Sequence, residues 1–186
     1  MSSRPDANGA FVVWLTGLPG AGKTTIAGAL TAELHRRGHL VDRLDGDVVR
    51  EHLSPELGFS KADRDENVGR IAWVASRIAR AGAIVAVSAI APYEDARRAA
   101  REVIAREVPF FEVHVATPVE ECVRRDPKGL YARALGGEIE SFTGISDPYE
   151  QPTEPELRLD TRGATPAESA AAVLARLEEL GLLRSG

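Results

Sequence analysis

Residues Ala10 to Thr24 read AFVVWLTGLPGAGKT, and the fold follows from this stretch. Ala10 to Thr16 is a short, continuous apolar run, the pattern of a central parallel strand covered on both faces. Gly17 to Thr24 has the spacing GxxxxGK[ST], in which glycines let the backbone curl until several amide N–H groups point at one anion. Lys23 supplies a positive charge, the Thr24 hydroxyl a magnesium ligand, and the helix that follows the positive end of its dipole. An ordinary turn explains poorly why an alanine-rich helix should open with three glycines and a lysine. The lysine and hydroxyl fit a nucleoside triphosphate with magnesium and not a dinucleotide.

Working outward, Thr24 to Arg37 reads as an amphipathic helix with Ile26, Leu30 and Leu34 on one face and Gly38 as its stop. Leu40 to Leu44 is a second strand running into the acidic turn Asp45-Gly46-Asp47. Lys61 to Ala81 is a helix with Val68, Ile71, Val74, Ala75 and Ile78 on one face. Ala83 to Ser88 is a third strand, Glu94 to Glu107 a helix, Phe110 to Ala116 a fourth strand, and Pro118 to Arg124 a helix for which Thr117 is the expected cap. From Arg125 to Pro155 regular periodicity gives way to prolines, glycines and charges. That segment is too long for an idle connector and reads as a lid or substrate loop. Leu157 to Asp160 is a last short strand and Thr165 to Leu183 a closing helix. The expected architecture is α/β: a doubly wound, mainly parallel five-stranded sheet with helices on both faces, binding ligands beyond the carboxyl ends of its strands. Residues 1–9 read as a flexible segment and 10–186 as one domain.

With 186 residues, 44% of them hydrophobic, the chain suits one sizeable core. A net charge of -5 argues against a nucleic-acid polymer or a membrane surface as partner, so any polyanion must be gripped locally. The lone cysteine, Cys122, has no partner for an internal disulfide, which fits a reducing cytoplasm. The start of the chain lacks the pattern of a signal peptide, and no apolar stretch reaches membrane-spanning length.

A phosphate loop does not say what accepts the phosphoryl group. Small-molecule kinases need a carboxylate near the acceptor hydroxyl, positive charges around the transferred phosphate and a lid that excludes water. Asp45 and Asp47 are candidates for the first, although DGD equally suits a plain strand-to-helix turn. Arg50, Arg64, Asn67 and Arg70 offer a dock for an anion, against the plainer reading of a solvated face paired with Asp63, Asp65 and Glu66. Phe59 and Phe142 lie in polar surroundings where rings either sandwich a base or pack locally. Arg124, Arg125 and Lys128 open the irregular segment, as lid charges or as a solvated run. His35, His39, His52 and His114 have no metal-ligand spacing.

Together these residues resemble the adenylylsulfate kinases, which phosphorylate the ribose 3′-hydroxyl of adenosine 5′-phosphosulfate with MgATP. The likeness runs from about Phe11 to Leu183 through WLTGLPGAGKTT, LDGDVVR, LGFSKADRDENV, AIAPY, RDPKGLY, FTGISDPYE and a terminal DT. The resemblance implies that Gly17, Leu18, Pro19, Gly20, Ala21, Gly22, Lys23, Thr24 and Thr25 bind ATP and magnesium, and that Lys23 and Asp47 are catalytic, Asp47 near the 3′-hydroxyl as proton acceptor. It implies that Arg50, Arg64 and Asn67 hold the phosphosulfate substrate, that Phe59 and Phe142 clasp its adenine, and that Ile90 and Lys128 lie on the substrate side. It also implies a homodimer and a functional link to an ATP sulfurylase.

This chain departs from that pattern at four positions. Ala91 stands where some members have a serine able to carry phosphate, which rules out a phosphoenzyme there. Gly69, Glu94 and Ala132 each remove a positive charge common in the family. Two other readings stay open on sequence: a kinase of another small hydroxylated acceptor, and a non-catalytic nucleotide-binding regulatory domain.

Overall fold

A computed structural model describes residues 9–184; the segment expected to be flexible, residues 1–9, lies outside them apart from Gly9. Five strands form one wholly parallel sheet in the order β2-β3-β1-β4-β5, where β1 is Val12–Thr16, β2 Val41–Asp45, β3 Ile84–Ser88, β4 Phe110–Val115 and β5 Leu157–Leu159. Strand β1 is buried at every position because it pairs on both sides and is covered on both faces. That double cover explains its unbroken apolar sequence. Successive residues point to opposite layers: Val13 and Leu15 join one core cluster, and Val12 and Trp14 the other.

The first layer contains α1 (Lys23–Arg36) and α7 (Pro166–Glu179), whose Ile26, Leu30, Val173 and Leu177 pack on Phe111 and Val113. The second contains α2 (Gly46–Leu53), α3 (Lys61–Arg80) and α4 (Glu94–Ala105). Each large side chain buried in these layers contributes on the order of 1.5–3 kcal/mol, which is what fixes the layering. The closing helix starts at a reciprocal cap: the Thr165 hydroxyl accepts from the Glu168 amide, and the Glu168 carboxylate accepts from the Thr165 amide. The chain leaves β1 toward β2 on one side and later reaches β4 on the other. A crevice therefore opens at the carboxyl end of β1, where the glycine loop sits.

Four expectations need correction. Asp45-Gly46-Asp47 is the start of helix α2, with Asp45 as its N-cap, and not an isolated turn. The segment from Arg125 to Pro155 holds a short helix, α6 (Leu130–Leu135), after α5 (Val119–Arg125). Thr117 does not cap α5; its hydroxyl donates to the Ala21 carbonyl and meets Thr161 instead. The buried face of α3 is Val68, Ile71, Ala72, Ala75 and Ala79, with Val74 and Ile78 only partly covered.

Candidate active site

The glycine loop is shaped from outside as well as by its own sequence. A Cβ on Gly17 would lie 2.5 Å from the Val115 carbonyl oxygen, so β4 tolerates only glycine there. The Tyr131 hydroxyl donates to Pro19 O at 2.9 Å, and Thr117 to Ala21 O at 2.9 Å. The Lys23 ammonium is 8% exposed and folds back onto the loop, donating to the carbonyls of Gly17 (2.9 Å) and Leu18 (2.8 Å). Burial lowers its pKa to about 8, against a partial lift from neighbouring acidic groups.

At the mouth of the loop the Thr24 hydroxyl donates to Asp45 Oδ2 at 2.7 Å, and the Ser88 hydroxyl reaches the same oxygen at 3.0 Å. Partial burial pushes the Asp45 carboxyl up, but hydrogen bonds from Thr24, the Asp47 amide and Ser88 outweigh it and hold its pKa below the ordinary value. The start of α1 and the ends of β2 and β3 thus gather a carboxylate and two hydroxyls, the hard oxygen donors that suit magnesium. Asp45 was legible only as half of DGD, because its partners lie 21 and 43 residues away.

Asp47, two residues on, points out of the first turn of α2 and accepts from the Lys128 ammonium at 2.7 Å. That contact joins the segment between α5 and α6 to the first turn of α2 and raises the Lys128 pKa, chiefly through the hydrogen bond itself.

Arg64 organises the other half. It is buried, and its guanidinium donates to Phe59 O (2.8 Å), to the Thr143 hydroxyl (2.7 Å) and to Ser141 O. One side chain therefore ties the loop of Phe59 to the loop of Phe142. The two rings differ: Phe59 is 63% exposed, whereas Phe142 is buried and meets Tyr131 edge-on at 5.0 Å. Arg50 lies 4.9 Å over the Phe59 ring. Asn67 is buried, and its side-chain oxygen has no partner within the protein. Arg70 does not join this group; it pairs with Glu56 and Glu66 on the outer face. Arg124 and Arg125 are likewise engaged, both with Glu121 and Arg125 also with Thr161. Of the charges that open that segment, it is Lys128 that reaches Asp47.

Ile90, in the loop after β3, accepts from the Thr16 hydroxyl at 2.6 Å, and Thr16 in turn meets the Tyr149 hydroxyl at 3.0 Å. Gly144 of the same returning segment touches the phosphate loop so closely that a Cβ there would lie 2.7 Å from Leu18 Cδ2. Tyr131, Tyr149 and Thr16 carried no sequence signal beyond their motifs.

The structure thus holds two groups of candidate residues: the glycine loop with Lys23, Thr24 and Asp45, and Arg50, Arg64 and Phe59, with Arg64 tied to the segment of Phe142. The adenylylsulphate kinase family profile matches residues 9–160 of this sequence. The chain belongs to that family. The adenylyl-sulfate kinase of Halothermothrix orenii is 52% identical over 171 residues, covering 92% of this chain and 91% of the relative. That of Chloroflexus aurantiacus is 51% identical over 183 residues, covering 98% and 97%. Among solved structures, the Mycobacterium tuberculosis APS kinase CysC in complex with AMPPNP and APS superposes with a TM-score of 0.88 at 45% identity, covering 91% of this chain and 98% of that one. Family membership at this identity makes the chain an ATP-dependent kinase of adenosine 5′-phosphosulfate.

Proposed function

We propose that the γ-phosphoryl group passes directly from ATP in the glycine loop to the 3′-hydroxyl of adenosine 5′-phosphosulfate, without a phosphoenzyme. The observation that supports this most is that buried Arg64 joins the segments of Phe59 and Phe142, with Arg50 over the Phe59 ring, as a group separate from the glycine loop that carries Lys23 and Thr24. Arg50 and Arg64 neutralise the phosphosulfate, the Asn67 side-chain amide donates to it through Nδ2, and the rings of Phe59 and Phe142 flank the adenine. Asp47 takes the proton of the attacking hydroxyl, and Lys128 leaves its ion pair to follow the incoming phosphates. Lys23 exchanges its two carbonyl partners for phosphate oxygens and stabilises the charge that builds during transfer. Thr24, with Asp45 behind it, would hold a magnesium ion, which supplies charge neutralisation on the phosphates when bound. Ala91 has no hydroxyl to accept phosphate, which leaves the direct route. A magnesium-dependent homodimer supplied by an ATP sulfurylase belongs to the same proposal.

The test is product analysis after incubation with MgATP and adenosine 5′-phosphosulfate. The expected products are ADP and a nucleotide phosphorylated at the 3′ position; ATP consumption that this acceptor does not stimulate would sink the reading.

The state of Lys23 gives a second expected result. With its pKa at about 8 in the free protein, Lys23 increasingly lacks its proton above that pH, whereas phosphate oxygens favour the ammonium form. Nucleotide binding at a pH above about 8 should therefore take up a proton, and at lower pH this uptake should fade. Calorimetric titration with ATP in two buffers of different ionisation enthalpy measures it. Uptake that does not grow with pH would mean that Lys23 stays charged throughout.

A further inference from the structure

The second buried arginine of the site's surroundings, Arg97 on α4, is 2% exposed and touches neither the glycine loop nor the pocket of Arg64. Its guanidinium donates to Ala91 O at 2.7 Å and to Glu150 O at 2.6 Å, and also to the Glu94 carboxylate. These carbonyls belong to two different segments. Ala91 follows Ile90 in the loop after β3, and Glu150 ends the stretch that begins at Phe142. Ala91 sits at φ 42, a left-handed conformation that costs a non-glycine residue roughly 1 kcal/mol or more and persists only where its surroundings hold it.

The same two segments make further contacts that depend on their alignment. Glu150 N donates to Pro92 O at 2.8 Å, Glu94 N donates to the Glu150 carboxylate at 2.7 Å, and the Tyr93 hydroxyl donates to Asp147 Oδ2 at 2.8 Å. Asp147 lies 3.7 Å from the Arg64 guanidinium. A continuous path therefore runs from Arg97 through Ala91 and Glu150 to Tyr93, Asp147 and Arg64. Lys23, Thr117 and Thr161, which bond directly to the glycine loop, lie outside this path; the clasped segment meets the loop through Gly144 beside Leu18 and Phe142 beside Tyr131.

We propose that Arg97 is a positioning residue chiefly for the acceptor side: it clasps the loop after β3 to the segment from Phe142 to Glu150, and so sets Ile90, Arg64 and Phe142. The proposal rests on the adenosine 5′-phosphosulfate reading above. It also gives Glu94 a role. In place of a cation common in the family, this chain carries a carboxylate that pairs with Arg97 and accepts from Thr153, so its charge is spent on the clasp and not on the ligand.

The test is Arg97→Lys, assayed beside the parent chain. An ammonium keeps the charge next to Glu94 and Glu112 but lacks the planar fork that spans two carbonyls at once. The expected result is a KM for adenosine 5′-phosphosulfate raised about tenfold, with the KM for ATP within about twofold of the parent. Arg101→Lys, on the same helix but paired with Glu112 and Glu156 away from both loops, should leave both constants unchanged. If the lysine variant does not fold, Glu94→Ala loosens the same guanidinium at a partly exposed position and should show the same split at about threefold. An unchanged KM for the acceptor, or both constants rising together, overturns the proposal. No transfer to adenosine 5′-phosphosulfate by the parent chain would instead sink the substrate reading on which it rests.

Discussion

Lys23→Met is expected to lower turnover by about 10²–10³-fold while leaving the protein folded. The size follows from what the ammonium does: in a water-poor cradle one positive donor aimed at developing charge contributes several kcal/mol to the transition state. The fold should survive because the aliphatic stem of lysine is what packs beside the loop, and methionine fills a similar volume. The variant loses two hydrogen bonds to the Gly17 and Leu18 carbonyls. Those carbonyls are at the loop's edge, so a drop in melting temperature of a few degrees is the expected extent. Single-turnover measurement at saturating ATP separates the two effects. A rate within about threefold of the parent would take Lys23 out of phosphoryl transfer.

Local features were the readable ones. The strand, glycine loop and first helix follow from consecutive residues, because the doubly covered strand is apolar throughout and the loop's glycines are dictated by close approach, as Val115 shows at Gly17. Helix α2 escaped notice because Val49 is its single buried residue: Val48 and Leu53 are exposed, so no apolar stripe marks it. Helix α6 is too short to display a period. In the site, Arg64 and Asn67 could be placed on one helical face from their spacing. The partners that give Arg64 its position, Ser141 and Thr143, lie 77 and 79 residues away. The same distance in sequence hid the pairing of Thr24 with Asp45, which exists only because β2, β3 and β1 lie side by side. Motif resemblance named Phe59 and Phe142 as a pair, but nothing in it marked the difference between an exposed ring and one locked against Tyr131.

The second large effect is expected at Asp47. Asp47→Asn keeps the side chain's size and a carbonyl oxygen for Lys128, but it removes the charge and the ability to take a proton. Turnover should fall by about 10²-fold or more if the carboxylate accepts the proton of the attacking hydroxyl. Stability is a poor competing explanation. Asp47 and Lys128 are 75% and 65% exposed as side chains, and an ion pair so open to solvent contributes at most a few tenths of a kcal/mol. A subtler competitor is that Asp47 matters only by holding Lys128 over the crevice. Lys128→Met separates these. If holding the lysine were the whole of Asp47's contribution, the two variants would lose the same amount, and the double variant no more than either. If Asp47 works on the acceptor itself, Asp47→Asn loses more turnover, and Lys128→Met acts mainly on the KM for the anionic substrates. Near-normal turnover in Asp47→Asn would leave the proton to solvent and remove the carboxylate from the chemistry. The free protein's own geometry makes the larger loss in Asp47→Asn the expected one: Asp47 projects from the first turn of α2, two residues from the carboxylate that pairs with Thr24 of the glycine loop.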